Sequence, residues 1–199
     1  MKHVAIIGAT GSLGRTVAPY LQEKGDYKLT LFSRHACRVQ MTGARIINGD
    51  VFDSTKLDEA LNGQDAVFVA LTGDLGKMAQ SIVASAKRNH VRQIIFISSM
   101  GIYNELPERI GVAGNLEHNP VLQCYREGAD IIESSGLNYT IIRPGWFDNG
   151  PADYEITHKG EMFGGRKVSR RAIADFVYTI LESPNCYSCE SIGINRPEQ

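Results

Sequence analysis

Short apolar runs alternate with longer amphipathic stretches along most of this chain. Runs 67–70 and 94–97 are continuously apolar, which is typical of strands buried on both faces of a parallel sheet. The pattern predicts strands at 4–7, 28–32, 45–48, 66–70, 93–97 and 139–142, with 191–194 as a candidate seventh. It predicts helices at 13–24, 55–62, 77–89, 121–134 and 171–182, and Ser169 stands where the last of them needs an N-cap.

Strands that alternate with helices predict βαβ units, and therefore an α/β fold with a doubly wound parallel sheet between two layers of helices. Right-handed crossovers favour the strand order 3-2-1-4-5-6, with room for a seventh strand. Segments 100–119 and 145–166 interrupt the alternation and are rich in Gly, Pro, Asn and Asp. We expect one domain over residues 1–199 in which these segments form the rim or lid of a substrate pocket, the alternative being simple surface loops.

A glycine-rich segment, GATGSLGR, directly follows the first predicted strand and leads into the first predicted helix. Glycines allow the backbone to turn sharply and to approach a ligand closely, and the free N–H groups of a helix N-terminus attract an anion. The context is that of a Rossmann-type dinucleotide site, and the sequence predicts a pyrophosphate here. The residues predicted to bind it are Gly8, Thr10, Gly11, Ser12, Leu13 and Gly14.

The residues after the second predicted strand bear on which dinucleotide binds. NAD-selective proteins present an acidic side chain to the ribose 2′-hydroxyl at this place, and here there is none. Instead Ser33 offers a hydroxyl and Arg34 a planar cation, with Arg38 one helical turn further on, which suits a 2′-phosphate. The sequence favours NADP(H), with NAD(H) as the other possibility, and Arg38 is equally consistent with a solvated loop.

Composition and charge exclude several classes of partner. The formal net charge is −1, so no excess of cations points to nucleic acid or to an anionic membrane. No apolar run approaches the roughly 20 residues of a membrane span, and no signal-peptide pattern is present, so we expect a cytoplasmic protein with a small-molecule substrate. Cys186 and Cys189 form a CxxC pair, but two more soft ligands are missing, so we expect reduced thiols and no metal site.

Four segments together resemble the NmrA-like, NAD(P)H-binding branch of the atypical short-chain dehydrogenase/reductases: GATGSLGR, GDVFD, FISSMGIY and SGLNYTIIRPG. This branch is also similar to biliverdin-IXβ and flavin reductases. The resemblance implies that Asp50 and Val51 contact the adenine and that Leu71 and Thr72 pack beside the adenosine ribose and pyrophosphate. It further implies that Ser98 faces the cofactor and that Pro144 and Gly145 lie against the nicotinamide.

The same resemblance assigns a catalytic serine but not its usual partners. Ser99 matches the serine that polarises a substrate carbonyl, whereas the positions of the Tyr-x-x-x-Lys pair carry Val121 and Tyr125. Tyr125 is interpreted as a proton donor or ribose ligand in a rearranged site. The alternatives are that the neighbouring Arg126 binds cofactor or substrate, or that both are ordinary helix residues.

Two further aromatic residues, Trp146 and Phe147, follow the predicted nicotinamide segment. They would form an apolar wall for a planar acceptor or close the core from above. The favoured function is an NADPH-dependent reductase of a small, easily reduced acceptor such as a flavin, a quinone or a conjugated carbonyl. The alternative is a non-catalytic protein that senses NADP(H) redox state and reports it to a protein partner; an epimerase or dehydratase ranks third because it would need the missing tyrosine.

Overall fold

The computed structural model describes residues 1–197, which form ten strands and five α-helices. The strands are β1 (Lys2–Ile7), β2 (Tyr27–Ser33), β3 (Arg45–Asn48), β4 (Ala66–Val69), β5 (Gln93–Ile97), β6 (Tyr139–Pro144), β7 (Trp146–Asp148), β8 (Glu155–Thr157), β9 (Lys167–Ser169) and β10 (Glu190–Asn195). The helices are α1 (Gly14–Lys24), α2 (Ser54–Leu61), α3 (Leu75–Arg88), α4 (Gln123–Glu133) and α5 (Arg170–Glu182).

Eight of these strands form one sheet in the order β3-β2-β1-β4-β5-β6-β10-β8. Every pairing is parallel except that of β8, which runs antiparallel to β10 at the edge. The predicted order 3-2-1-4-5-6 is therefore confirmed, and the candidate seventh strand forms next to β6. Ile7 lies opposite Phe32 on one side and Val69 on the other, so the residues that follow β1, β2 and β4 meet at the carboxyl ends of these parallel strands.

The second interruption of the pattern is more regular than the sequence predicts. Segment 145–166, expected as loop, contains β7 and β8, and β7 pairs with β9 in a small parallel sheet of its own. These strands have three residues each, which is too short for an alternating pattern to be visible in the sequence. They form because β10 and β9 offer them backbone partners.

The core lies in two apolar layers, one on each face of the sheet. Helices α1 and α5 cover one face, and α2, α3 and α4 cover the other, which confirms the predicted three-layer α/β architecture. Three helices begin at capping side chains: Asp53 accepts from the Lys56 amide, Asp74 from the Lys77 amide, and Ser169, as predicted, from the Ala172 amide.

Candidate functional site

A cleft of about 870 Å³ runs along the edge of the sheet where the parallel strands end. Its lining comes from the residues that follow β1 to β6, together with segment 100–119 and the start of β7. Ligands in doubly wound folds bind at this edge, where the strand order reverses. Of the 18 residues predicted to form the site, the cleft includes all but Gly14 and Arg38.

The glycine-rich turn forms the floor at one end of the cleft. Gly8 has a φ of +93°, and a Cβ built on it would lie 2.1 Å from the carbonyl oxygen of Ala70, so only glycine fits. The Gly11 amide donates to the Gly8 carbonyl at 2.9 Å, which folds the turn, and α1 then begins without a capping side chain. This arrangement fits the pyrophosphate of a nicotinamide cofactor, since the backbone of the turn lines the cleft and no side chain caps the N-terminus of α1.

Gly14 has a different place from the one predicted. It is buried outside the cleft lining, and a Cβ on it would lie 2.4 Å from the Gly8 carbonyl oxygen and 2.7 Å from the Cα of Ala9. Its glycine identity is therefore required for α1 to pack against the turn. In this structure Gly14 packs against the glycine-rich turn on the side away from the cleft.

The end of the cleft beside the glycine-rich turn, which we call the cofactor end, also carries the charged side chains of the lining. Ser33 and Arg34 line it as predicted, and so do Asp50 and Val51, with the Asp50 carboxylate accepting from the Phe52 amide at 3.0 Å. Arg38 is exposed in a short 3₁₀ turn outside the lining. The sequence did not single out two other lining residues, His35 and the 52% exposed Phe52, because a lone histidine or aromatic residue in a loop gives no pattern.

The remaining predicted cofactor residues, Leu71, Thr72, Ser98, Pro144 and Gly145, line the middle of the cleft. The Ser98 hydroxyl donates to the Tyr125 carbonyl at 3.2 Å and so connects the end of β5 to α4. A Cβ on Gly145 would lie 2.7 Å from the carbonyl oxygen of Arg166, so glycine lets β7 approach the segment before β9.

The two predicted catalytic residues, Ser99 and Tyr125, both line the cleft. The Ser99 hydroxyl donates to the carbonyl of Met100 at 3.0 Å. Tyr125 is half-buried, and burial, with a smaller contribution from Cys124, raises the pKa of its phenol. The phenol is therefore protonated at neutral pH, and it can donate a hydrogen bond but does not readily release its proton.

Arg126 points away from the cleft, which disfavours its interpretation as a cofactor or substrate ligand. Its Nε donates to Asp130 at 2.7 Å, and its Cζ lies 4.9 Å from the centroid of the Tyr103 ring. Tyr103, the last residue of the segment FISSMGIY, is also outside the cleft lining, and its hydroxyl donates to Glu133 at 2.7 Å. Burial is the main cause of its raised pKa.

The far end of the cleft is apolar. Trp146 and Phe147 lie on its wall and are 72% and 37% exposed, so they do not close the core. Among the described lining residues the side chains of Arg34, His35 and Asp50 can carry charge at ordinary pH, and all three are at the cofactor end. The other apolar members of the far wall are Met100, Leu106, Ile110, Ala113 and Leu122.

Residues 1–197 contain no group of three or more His, Cys, Asp or Glu side chains arranged to hold a metal ion. The four cysteines are free thiols, with Cys186 and Cys189 both exposed. Within the same residues, no helix is both long enough and apolar enough to cross a membrane.

Two solved structures of related proteins share this fold closely. A Rossmann-fold NAD(P)-binding family protein from Shigella flexneri is 38% identical, covering 100% of this chain and 95% of that one, with a TM-score of 0.86. A short-chain dehydrogenase/reductase from Veillonella parvula, solved in complex with NADP, is 27% identical over 98% of this chain and 95% of that one, with a TM-score of 0.90.

Two curated relatives are named as a reductase and as an oxidoreductase. The (4-alkanoyl-5-oxo-2,5-dihydrofuran-3-yl)methyl phosphate reductase of Streptomyces griseus is 28% identical over 72% of this chain. An NmrA-like family domain-containing oxidoreductase of Aspergillus japonicus is 24% identical over 74% of this chain. The chain spans about half the length of each, 48% and 47% respectively.

The predicted resemblance is confirmed at the level of the family. The model of a family described as NAD(P)H-binding matches residues 8–184, which include the glycine-rich turn, Ser33, Arg34, Asp50 and Val51, and the segment with Pro144 and Gly145. The chain belongs to this NAD(P)H-binding family.

Proposed function

We propose that this protein is an NADPH-dependent oxidoreductase that acts on a small, easily reduced acceptor such as a flavin, a quinone or a conjugated carbonyl. One observation carries the proposal: a single cleft joins the glycine-rich turn at one end to an apolar wall without charged side chains at the other. Ser99 and Tyr125 line the stretch between the two ends.

The residues at the cofactor end would hold NADPH. The turn of Gly8 and Gly11 would bind the pyrophosphate through backbone N–H groups, and Asp50 and Val51 would contact the adenosine. Ser33 and Arg34 would bind the 2′-phosphate, which supports a preference for NADPH over NADH. When bound, the cofactor supplies a hydride from the C4 position of its nicotinamide.

Ser99 and Tyr125 would orient the acceptor and stabilise negative charge that develops on its oxygen or nitrogen. Each can donate one hydrogen bond, Ser99 once its hydroxyl turns from the Met100 carbonyl toward the acceptor. No lysine stands among the described residues that line the cleft, so the Tyr125 pKa stays raised by burial. Tyr125 is therefore a hydrogen-bond donor rather than an efficient acid, and the acceptor takes its proton from solvent. Flavins, quinones and conjugated carbonyls fit this because their reduced forms hold the new electron pair without help from a strong acid.

The apolar wall also limits the charge that a bound acceptor can carry. The Streptomyces relative is named for a substrate that carries a phosphate. No cation stands among the described residues that line the cleft beside Trp146 and Phe147, and the nearby Arg170, whose Cζ lies 5.6 Å from the centroid of the Phe147 ring, already donates to the Asp148 carbonyl and to Asn149. A phosphate on this wall would lose its water without gaining a cation from the lining, which is costly. We expect an acceptor whose reacting part is neutral, with any charged group left at the mouth of the cleft.

One observation favours a second candidate, a non-catalytic sensor of NADP(H) redox state. The Tyr-x-x-x-Lys pair is replaced by Val121, which is 71% exposed and outside the lining, and by Tyr125 with its raised pKa. A sensor would bind the cofactor, turn nothing over and signal to a protein partner.

Oxidation of NADPH in the presence of FMN, a naphthoquinone, an enone and a phosphorylated enone tests the proposal. Protein-dependent loss of the reduced-nicotinamide absorbance with any neutral acceptor, and little with the phosphorylated enone, is the expected result. Tight NADPH binding without oxidation across the panel would favour the sensor.

A further inference from the structure

We propose that Glu105 and Arg143, which lie outside the cleft, are positioning residues that hold the acceptor wall in place against the nicotinamide segment. This inference rests on the proposed function, because it assigns a role in acceptor binding. In this proposal a buried ion pair, rather than closure of a lid over the substrate, gives the far end of the cleft its shape.

The ion pair is fully removed from solvent. The Arg143 side chain is 0% exposed and that of Glu105 is 4% exposed, and Nη1 of Arg143 donates to Oε1 of Glu105. Replacing a buried ion pair by apolar side chains of similar volume is often neutral or stabilising, so stability alone does not explain why a fold would contain one. What the pair offers is a fixed geometry, since both charges must keep their partners.

Glu105 uses its carboxylate to fold the first half of segment 100–119. Oε1 accepts from the Gly101 amide at 3.1 Å, and Oε2 accepts from the Tyr103 amide at 2.9 Å. Gly101 has a φ of +83°, and its carbonyl accepts from the Leu116 amide at 2.9 Å, which joins the two ends of the segment. The carboxylate therefore stabilises a turn that has a glycine-only conformation at its first residue.

The backbone of Glu105 also connects this turn to the acceptor wall. Its carbonyl accepts from the Phe163 amide at 2.9 Å. Phe163 is 0% exposed and packs in one cluster with Met100, Leu106 and Ile110, three residues that line the cleft. A shift of Glu105 would move Phe163 and the wall that packs on it.

Arg143 connects the same turn to the sheet. Its Nη2 donates to the carbonyls of Thr157 and Ser191, each at 3.3 Å, and so bridges β8 and β10. The next residue, Pro144, lines the cleft where the nicotinamide would lie, and its carbonyl accepts from the Met100 amide at 3.2 Å. The pair thus sets the distance between the strand that would support the nicotinamide and the wall that would face the acceptor.

Three variants separate positioning from folding. Arg143→Met leaves the buried Glu105 carboxylate without its cationic partner, so we expect it to be the least stable of the three variants. Glu105→Leu with Arg143→Met removes both charges, so we expect it to recover only part of the stability lost in Arg143→Met, because the Gly101 and Tyr103 amides lose their acceptor. Glu105→Gln keeps the shape of the side chain and one acceptor oxygen, so we expect its stability to lie between that of wild type and that of Arg143→Met. Ile180→Ala, a fully buried change on α5, is the matched control for lost stability without a change in the wall.

The measurement is acceptor affinity in the complex with NADP⁺, where no turnover occurs. Trp146 is the one tryptophan of the sequence and lies on the wall, so its fluorescence reports a naphthoquinone or FMN that enters the cleft. In the double variant we expect the Kd of the acceptor in this complex to rise about 10- to 100-fold, while the Kd of NADPH changes less than about threefold. In turnover assays with NADPH, kcat/KM for the acceptor should fall by a similar factor, mostly through KM. Ile180→Ala should leave both values within about twofold of wild type.

Amide hydrogen exchange gives a second readout that does not depend on catalysis. In the double variant, segment 100–119 should exchange faster, while the glycine-rich turn at residues 8–14 should be unchanged. Wild-type acceptor affinity and wild-type exchange in the double variant would overturn the inference, as would equal losses of acceptor and NADPH affinity. If wild-type protein binds NADPH but no acceptor, the proposed function fails separately, and the exchange result still decides whether the pair shapes the wall.

Discussion

Replacing Arg34 with alanine removes the one arginine or lysine side chain among the described residues that line the cleft. If Arg34 binds the 2′-phosphate, the variant loses a hydrogen bond between charged groups, which is worth about 1.5–3 kcal/mol. Arg34 is exposed, so water and salt weaken the interaction and the lower part of that range applies, about 1.5–2 kcal/mol. The Kd of NADPH should then rise about 10- to 30-fold, whereas that of NADH should stay within about twofold.

Titration of each cofactor by calorimetry or by Trp146 fluorescence measures both constants. Arg38→Ala removes the same charge from an exposed turn outside the lining, and we expect its effect on NADPH to be less than about threefold. The preference for NADPH should also decrease as salt rises from about 0.05 to 0.5 M, because an exposed charge pair is screened. An equal rise in the Kd of NADPH and of NADH in Arg34→Ala would refute the binding of the 2′-phosphate by Arg34. A larger rise in the Kd of NADPH in Arg38→Ala would refute it as well.

Three further outcomes are expected. Ser99→Ala and Tyr125→Phe should each lower kcat about 10- to 100-fold with NADPH affinity kept, and an unchanged kcat in steady-state assays would remove both residues from the mechanism. Gly8→Ala should abolish NADPH binding in calorimetry, because its Cβ would lie 2.1 Å from a carbonyl oxygen; binding within about tenfold of wild type would contradict this. Asp58, whose pKa is lowered chiefly by Arg88, should stabilise the fold at neutral pH and lose this effect as the pH falls through the lowered pKa. Asp58→Asn should therefore cost about 1 kcal/mol at pH 7 in denaturant titrations, because solvent screens this partly exposed pair, and the cost should shrink as the pH falls below about 4 and through the lowered pKa. A pH-independent loss would argue against this role.

The main sheet could be predicted because its strands carry their own signals. A strand such as β5, Gln93–Ile97, is buried over its whole length, and its residues 94–97 form a continuous apolar run. The glycine-rich turn could also be predicted from the sequence, since Gly8 needs a positive φ and lies between a strand and a helix. Gly14 shows the limit of this reasoning: a glycine pattern does not tell which members face the ligand and which allow two backbones to pack.

The acceptor end could be predicted only in outline. The short strands β7, β8 and β9 depend on backbone partners distant in sequence, and no local pattern marks them. Arg143 was part of a motif, but nothing in the sequence showed that it would be buried against Glu105, which lies 38 positions earlier. Tyr103 likewise follows Ser99 at a familiar spacing, yet its hydroxyl reaches Glu133 outside the cleft.

Single-turnover oxidation of stereospecifically deuterated NADPH tests whether this protein transfers a hydride from a fixed nicotinamide. Protein saturated with NADPH deuterated on one or the other face of C4 is mixed with a naphthoquinone or FMN, and the decay of nicotinamide absorbance is followed. A cleft that fixes the nicotinamide against Pro144 and Gly145 predicts transfer from one face, so one label slows the reaction and the other does not. Bound NADPH that is not oxidised, or that is oxidised with the same rate for both labels, would contradict the account of this protein as an NADPH-dependent oxidoreductase.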